Sequence, residues 1–370
     1  MIKTTTERGG PGAVIESDIE EIVRRSGTDL RGLESRCILI TGGGGFLLSY
    51  LVDLLAAYSR SLPSDQACRI VVVDNYKTGI PLRLAHLVGS PHVQFLNIDA
   101  SRPFKLDARP DVILHGASIA SPSVYRQFPL ETAEINALGT YHLLQEARDL
   151  PLQSFVFMSS SEIYGDPEPS AVPTPETYHG SVSCTGPRAC YDESKRFAET
   201  LAMIFFRSRR TPVRIIRPFN VYGPGMRLDD RRVLPDFARC VLEGRDIEVF
   251  SDGSPTRSFC YINDFITGLL CVLVRGASGE AYNVGSDREE ISVRDLARRM
   301  IEVDGRGLKV KYQTHQDSDY LSDNPQRRAP DLSKLRALGF KPEIDLCTGL
   351  SRYLAWARES KEIARIGGVK

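Results

Sequence analysis

Up to Pro218, short apolar runs alternate with longer stretches in which apolar residues recur at helical spacing. The runs Cys37–Thr41, Arg69–Asp74, Val93–Ile98, Asp111–His115, Ser154–Ser159 and Val213–Arg217 read as strands. The spacing predicts helices at Phe46–Tyr58, Pro81–Leu87, Leu130–Arg148 and Tyr191–Phe206. Apolar runs of this kind, separated by helices, predict βαβ units and a parallel sheet covered on both faces. Ahead of the first strand, Ile15, Ile19, Ile22 and Val23 fall on one helical face. There Ser17 with Glu20 reads as a capping box opening a short helix over Ser17–Arg25. After Pro218 the rhythm changes. Loops rich in Pro, Gly, Asp and Arg ("GPGMRLDDRR", "SDGSPTRSF", "SDNPQRRAPD") alternate with shorter helices and predict a smaller lobe closing over the sheet. Residues 1–12 are polar and carry Gly9, Gly10 and Gly12, so disorder is expected there.

Composition narrows the partners more than the fold. The 370 residues carry 47 basic and 47 acidic side chains, which gives no global pull toward nucleic acid or a membrane surface. No apolar run reaches the length of a membrane span, and the N-terminus lacks a signal-peptide core. The eight cysteines form no C-x-x-C pair, and several lie inside apolar runs. They are expected to be reduced, in a cytoplasmic protein without a metal centre.

The stretch "TGGGGFLLSYL" follows the first strand and opens the first long helix, the setting a dinucleotide-binding turn requires. Gly42 permits the tight turn, and Gly45 lets backbone approach a pyrophosphate seated on the helix N-terminus. The third position of the fingerprint, whose glycine serves helix–strand packing, is Leu48. Leu48 is expected to push the helix outward or to fill a gap left by small neighbours. Asp74 ends the second strand, where an acid accepts from the adenosine ribose and repels a 2′-phosphate, favouring NAD over NADP. A Rossmann-type doubly wound α/β sheet with a smaller C-terminal α/β substrate lobe follows.

In "YDESK", Tyr191 and Lys195 stand four apart on one helical face. A phenol starts near pKa ~10. A nearby ammonium and an oxidised nicotinamide would both favour the phenolate. A drop of ~3 units corresponds to roughly 4 kcal/mol. Such a phenolate can take the proton of a sugar hydroxyl as hydride leaves.

Together, "TGGGGF", "VVVDN", "LNIDA", "HGASIASP", "SSSEIYGD", "YDESK", "RPFNVYGP" and "TRSFCYINDF" resemble the extended short-chain dehydrogenase/reductases, the NAD-dependent nucleotide-sugar epimerases and dehydratases. The likeness spans roughly residues 36–358. "GPRACYDESKR", "YGPGMRLDDRRVLPDF", "DGSPTRSFCY" and "NPQRRAPD" bring it nearest to the UDP-glucuronate decarboxylases. The resemblance implies a closed redox loop on tightly bound NAD. Tyr191 deprotonates the C4 hydroxyl, a C5 carboxylate beside the 4-keto group is lost as CO₂, and hydride returns. It implies Ser160 as the partner of the C4 oxygen, Glu162 near C5, and Lys195 beside Tyr191 and the cofactor. Phe46, Leu47, Asn75, Asp99 and Ala117 join Gly42, Gly45 and Asp74 at the cofactor, while Ser161, Asn220, Arg232, Arg257 and Arg328 fall to the nucleotide sugar. Arg257 and Arg328 match arginines that bind the diphosphate, a role suited to guanidinium geometry. The implied division is a tail and short helix over 1–35, an NAD-binding domain over 36–217 joined by part of 260–285, and a sugar-nucleotide lobe from 218–259 and 286–360. Helices 130–148 and 191–206 match the pair through which such proteins form homodimers.

Three alternatives share these residues. A C4 epimerase would use the same tyrosine and return hydride to the opposite face. The loop "SVSCTG", where the decarboxylases carry asparagines and a proline, leaves that open. A 4,6-dehydratase expects Asp-Glu where this chain has Ser161-Glu162, and a hydroxyl is a poor general acid. A catalytically silent NAD-binding protein has no need of Tyr191, Lys195 and Glu162.

Overall fold

In the computed structural model, which describes residues 12–79, 81–313 and 325–366, a single seven-stranded sheet forms the centre. Its strands are β1 (Cys37–Thr41), β2 (Arg69–Asp74), β3 (Val93–Asn97), β4 (Val112–His115), β5 (Ser154–Met158), β6 (Val213–Pro218) and the edge strand Glu280–Val284. The order is Glu280–Val284, β6, β5, β4, β1, β2, β3, and every pairing is parallel. Alternate side chains serve opposite cores. Ile38, Ile40, Ile70 and Val72 face one layer of helices, and Leu39, Val71 and Val73 face the other. This double burial is why the strands read as unbroken apolar runs. Strand order reverses between β1 and β4, which opens a crevice at their carboxyl ends where ligands of such sheets bind.

The N-terminal helix α1 (Ala13–Arg31) begins earlier and runs longer than the spacing suggested. Its N-cap is Gly12, so Ser17 lies within the helix and the expected capping box does not form. The predicted apolar face is present: Ile15, Ile19 and Ile22 are buried. Asp18 is buried among them and accepts from the Tyr50 and Tyr261 hydroxyls at 3.0 and 2.6 Å and from Arg352 at 2.9 Å. Helix α2 (Phe46–Arg60) follows the glycine turn. Residues Pro81–Leu87 form 3₁₀ turns kinked at Leu84 rather than an α-helix. The helix expected over 130–148 is broken into α-helical Pro129–Ala133, a π-helical turn over Glu134–Gly139, and α-helical Thr140–Ala147. The helix carrying Tyr191 spans Ala189–Arg209.

Beyond β6 lie short strands. Thr256–Arg257 pairs with both Ile291–Ser292 and Arg327–Arg328, and the second pairing sets Arg328 opposite Arg257. Part of the loop "SDNPQRRAPD" and the tail 1–11 lie outside the described residues. Among the described residues no helix is long and apolar enough to cross a membrane.

Candidate active site

A cavity of about 1350 Å³ opens at the crevice between β1 and β4. Gly42 leaves β1 with φ 73°, and a Cβ there would lie 2.6 Å from the Ala117 nitrogen that follows β4. Only glycine fits this approach. Gly45 is the N-cap of α2 and supplies no side chain to cap it, which leaves the helix N-terminus free to receive an anion. Gly44 N and Tyr76 N each donate to the Asp74 carboxylate at 2.8 Å, fixing the acid against the turn. Burial pushes its pKa upward against these bonds. Phe46, Leu47, Asn75, Asp99 and Ala117 line the same cavity. A glycine-shaped turn, an uncapped helix end and an acid at the next strand end fit a dinucleotide such as NAD.

Leu48 packs into the space that Gly116 leaves open. It is buried, and a Cβ on Gly116 would lie only 2.4 Å from its Cδ1. The glycine missing from the turn has in effect a counterpart across the crevice, at the end of β4.

Deeper in the cavity, Tyr191 stacks on Tyr125, with ring centres 5.2 Å apart and planes 11° from parallel. Lys195 is buried, and its ammonium donates to the Met158 carbonyl at 2.7 Å while lying 5.9 Å from the Tyr191 ring centre. Without the cofactor, burial governs the charge of both groups. Burial raises Tyr191 to about 12, and the group that chiefly opposes this is the Ser160 hydroxyl hydrogen-bonded to it, with help from the Arg232 charge. Burial also lowers Lys195 to about 7. The lysine is spent on a backbone carbonyl, so the protein alone does not make the phenol acidic.

Glu162 is the electrostatic centre. Ser160 caps the 3₁₀ turn Ser161–Tyr164 by accepting from Glu162 N at 3.2 Å, which aims the glutamate into the cavity beside Ser161. Its carboxylate is held by Arg188 and by both terminal nitrogens of Arg328, one at 2.8 Å. Burial opposes its charge, but Arg188, Arg328 and Arg257 together hold its pKa well below the usual carboxylate range. Arg328, expected at the diphosphate, is therefore engaged by Glu162. Arg257 donates to the Thr256 carbonyl at 2.8 Å, and among the described residues no carboxylate pairs with it. Arg232 pairs with Asp230, at 2.9 Å through Nη2. Asn220, at φ 41°, ties the lobe together through the Ser258 carbonyl at 3.0 Å. Glu162, Arg188, Asn220, Arg232, Arg257 and Arg328 line the one cavity.

Two contributors escaped the sequence reading. Arg188 lies three residues before Tyr191 and bridges Glu162 to Asp192, whose Oδ2 is 3.4 Å from its Nε. Its place one helical turn from the tyrosine was the available signal. Tyr125, the stacking partner, left no local signal.

Residues 38–285 match the NAD dependent epimerase/dehydratase family. The chain belongs to that family. It is 37% identical over 314 residues to UDP-glucuronic acid decarboxylase 3 of Arabidopsis thaliana, covering 85% of this chain and 86% of that one. It is 35% identical to UDP-glucuronic acid decarboxylase 1 of Xenopus tropicalis over 88% of this chain and 73% of that one. Among solved structures, a dTDP-glucose 4,6-dehydratase of Streptomyces venezuelae with NAD bound matches at 26% identity and TM-score 0.74, covering 88% of this chain and 98% of that one. A UDP-glucuronic acid 4-epimerase of Bacillus cereus shares the fold, with TM-score 0.71 at 23% identity over 88% of this chain and 99% of that one. This family and its neighbours also account for the Rossmann-like architecture.

Proposed function

We propose that this protein decarboxylates UDP-glucuronate through a transient 4-keto sugar, with NAD regenerated in each cycle. The observation that carries the reading is the pairing of Arg188 and Arg328 with one carboxylate beside Tyr191 and Ser160, with Arg257, unpaired among the described residues, close enough to add its charge. Two guanidinium groups on Glu162 and the additional Arg257 leave cationic surplus in a cavity that must accept a uronate and a diphosphate. The identity to decarboxylases supports the choice of substrate.

Gly42, Gly45, Phe46, Leu47, Asp74, Asn75, Asp99 and Ala117 would hold NAD, which when bound supplies reversible acceptance of the C4 hydride. Ser160, hydrogen-bonded to Tyr191, favours the phenolate, which takes the proton of the C4 hydroxyl as hydride leaves and becomes the phenol. Oxidation at C4 makes the C5 carboxylate that of a β-keto acid. Its C–C bond then breaks, CO₂ leaves, and the electron pair is held as an enolate on the C4 oxygen, next to Ser160 and Tyr191. Glu162, kept ionised by its arginines, sets the charge facing C5. C5 then takes a proton, C4 recovers its hydride, and Tyr191 returns the proton to the C4 oxygen. Lys195 lies behind the tyrosine, anchored on the Met158 carbonyl. The lobe from 218–259 and 286–360 would receive the nucleotide, with Ser161, Asn220, Arg232, Arg257 and Arg328 among its contacts.

The second reading is C4 epimerisation. It is favoured by the largely exposed 181–186 loop, whose "SVSCTG" sequence departs from the decarboxylase pattern. Incubation with a panel of UDP-sugars, read by mass and NMR, separates the two. Loss of CO₂ from UDP-glucuronate supports decarboxylation. Inversion at C4 with the carboxylate retained overturns it.

We also propose a cytoplasmic homodimer. Leu130, Leu138, Tyr141, Phe197 and Ile204 are exposed on the segment 129–147 and the helix Ala189–Arg209, an apolar surface that a second copy would cover. The free cysteines suit a reducing compartment.

A further inference from the structure

Two ion pairs cross the rim of the cavity at its adenosine end, away from the reacting groups. After β2, Asp74 Oδ1 accepts from Tyr76 N at 2.8 Å and Asn75 Oδ1 from Lys77 N at 3.0 Å, while Tyr76 takes φ 55°. The loop so shaped sends Lys77 to the opposite wall. Its Nζ meets Glu131 Oε1 at 3.0 Å and lies 4.4 Å from the centre of the Phe128 ring. The loop after β3 repeats the device. Asp99 Oδ1 accepts from Ser101 N at 3.0 Å, and Arg102 Nη2 reaches Glu134 Oε2 at 3.4 Å.

All four charged residues line the cavity, and Glu131 and Glu134 stand three apart on one helical surface. Two bases from two different strand ends thus meet two acids on one segment of the facing wall. These side chains are 36–67% exposed, so the pairs add little to global stability. Their placement makes sense as a hold on whatever lies between the walls.

Resting on the proposed cycle, in which the cofactor stays through each turnover, we infer that Lys77–Glu131 and Arg102–Glu134 form a latch that slows dinucleotide release. The four are positioning residues and touch no reacting atom. Exposed pairs are screened within about 8–10 Å at 0.1–0.15 M salt, so the latch loosens as ionic strength rises.

The test is NADH release from the full-length protein, followed by fluorescence in a stopped-flow chase with excess NAD. In E131Q/E134Q, release at low salt is expected to be about 3- to 30-fold faster than in the parent. The parent's rate should climb toward the variant's as KCl is raised, while the variant's stays nearly flat. The swap K77E/E131K should restore part of the slow release. The melting temperatures of the cofactor-free proteins should agree, which separates the latch from a stability effect. Equal release rates with equal salt response in parent and variant overturn the latch and leave the proposed reaction standing. A parent protein that binds no NADH overturns both.

Discussion

Replacing Gly116 by alanine asks whether Leu48 is a fitted part of the cofactor floor. Backbone conformation does not forbid the change, because Gly116 is not in the left-handed region. Space does. The added Cβ would lie 2.4 Å from Leu48 Cδ1 and 3.3 Å from Met158 Cγ, and real Cβ atoms essentially never come within 3.0 Å. Leu48 is 3% exposed, so its side chain can give way only toward the cavity it lines. Overpacking of this kind typically costs about 1–3 kcal/mol. Leu48→Ala alone removes a buried side chain, at about 2–5 kcal/mol. In the double variant the new methyl enters space the leucine has vacated, so the second substitution should cost little. The expected coupling is therefore about 1–3 kcal/mol, well beyond the ~0.5 kcal/mol scatter of independent sites. Urea unfolding of the four proteins, fitted with a common slope, measures it. NAD titration of the same proteins should show affinity falling in Gly116→Ala and partly recovering in the double variant, since both residues line the cavity. Strictly additive free energies would refute the contact as the reason for the Leu48–Gly116 pairing.

Tyr191→Phe should lower turnover by about 10²–10⁴-fold with substrate affinity kept, and unchanged turnover would remove the phenol from the mechanism. Glu162→Gln takes an anion from between Arg188 and Arg328 and should slow CO₂ release more than C4 oxidation. Single-turnover traces of nicotinamide absorbance beside CO₂ evolution separate the two steps. Burial holds Lys195 near 7, below its ordinary 10.5, so between those values the unfolded chain binds the extra proton. The cofactor-free protein should thus gain stability through this group as pH rises from about 7 toward 10. Lys195→Met should flatten that slope, and an identical slope in the variant would contradict the burial argument.

The parallel sheet was legible because β1, β2, β4, β5 and β6 are buried along most of their length and announce themselves as apolar runs, with the more exposed β3 beside them. The edge strand Glu280–Val284 did not. It includes Asn283, whose amide donates to the Thr174 and Asp331 carbonyls, and a polar residue in so short a run masks it. The π-helical turn at Glu134–Gly139 was invisible for a related reason. It places Asn136 to donate to Ser194 and accept from Ser118, and an extra residue in one turn barely changes helical periodicity. Asp18 was half visible. Positions 15, 18, 19 and 22 share one helical face, so the spacing put an acid among three isoleucines. Only the fold shows the two tyrosine hydroxyls and the arginine that satisfy it.

The site residues were legible as types because glycine, tyrosine, lysine and arginine at these spacings are demanded by phosphate and proton chemistry. What the sequence could not carry was their charge. Tyr191 and Lys195 stand four residues apart, and adjacency alone argues for an acidic phenol. The fold sends the ammonium to Met158 and the Ser160 hydroxyl to the phenol, so burial controls both groups. Glu162 shows the opposite outcome under the same burial. Arg188, from the turn before Tyr191, and Arg328, from a two-residue strand in the second lobe, overcome the desolvation that raises the phenol. A buried acid therefore stays ionised where two lobes deliver cations to it and stays protonated where one helix does not. That difference, set by topology across the crevice, is what distinguishes the roles of the two groups.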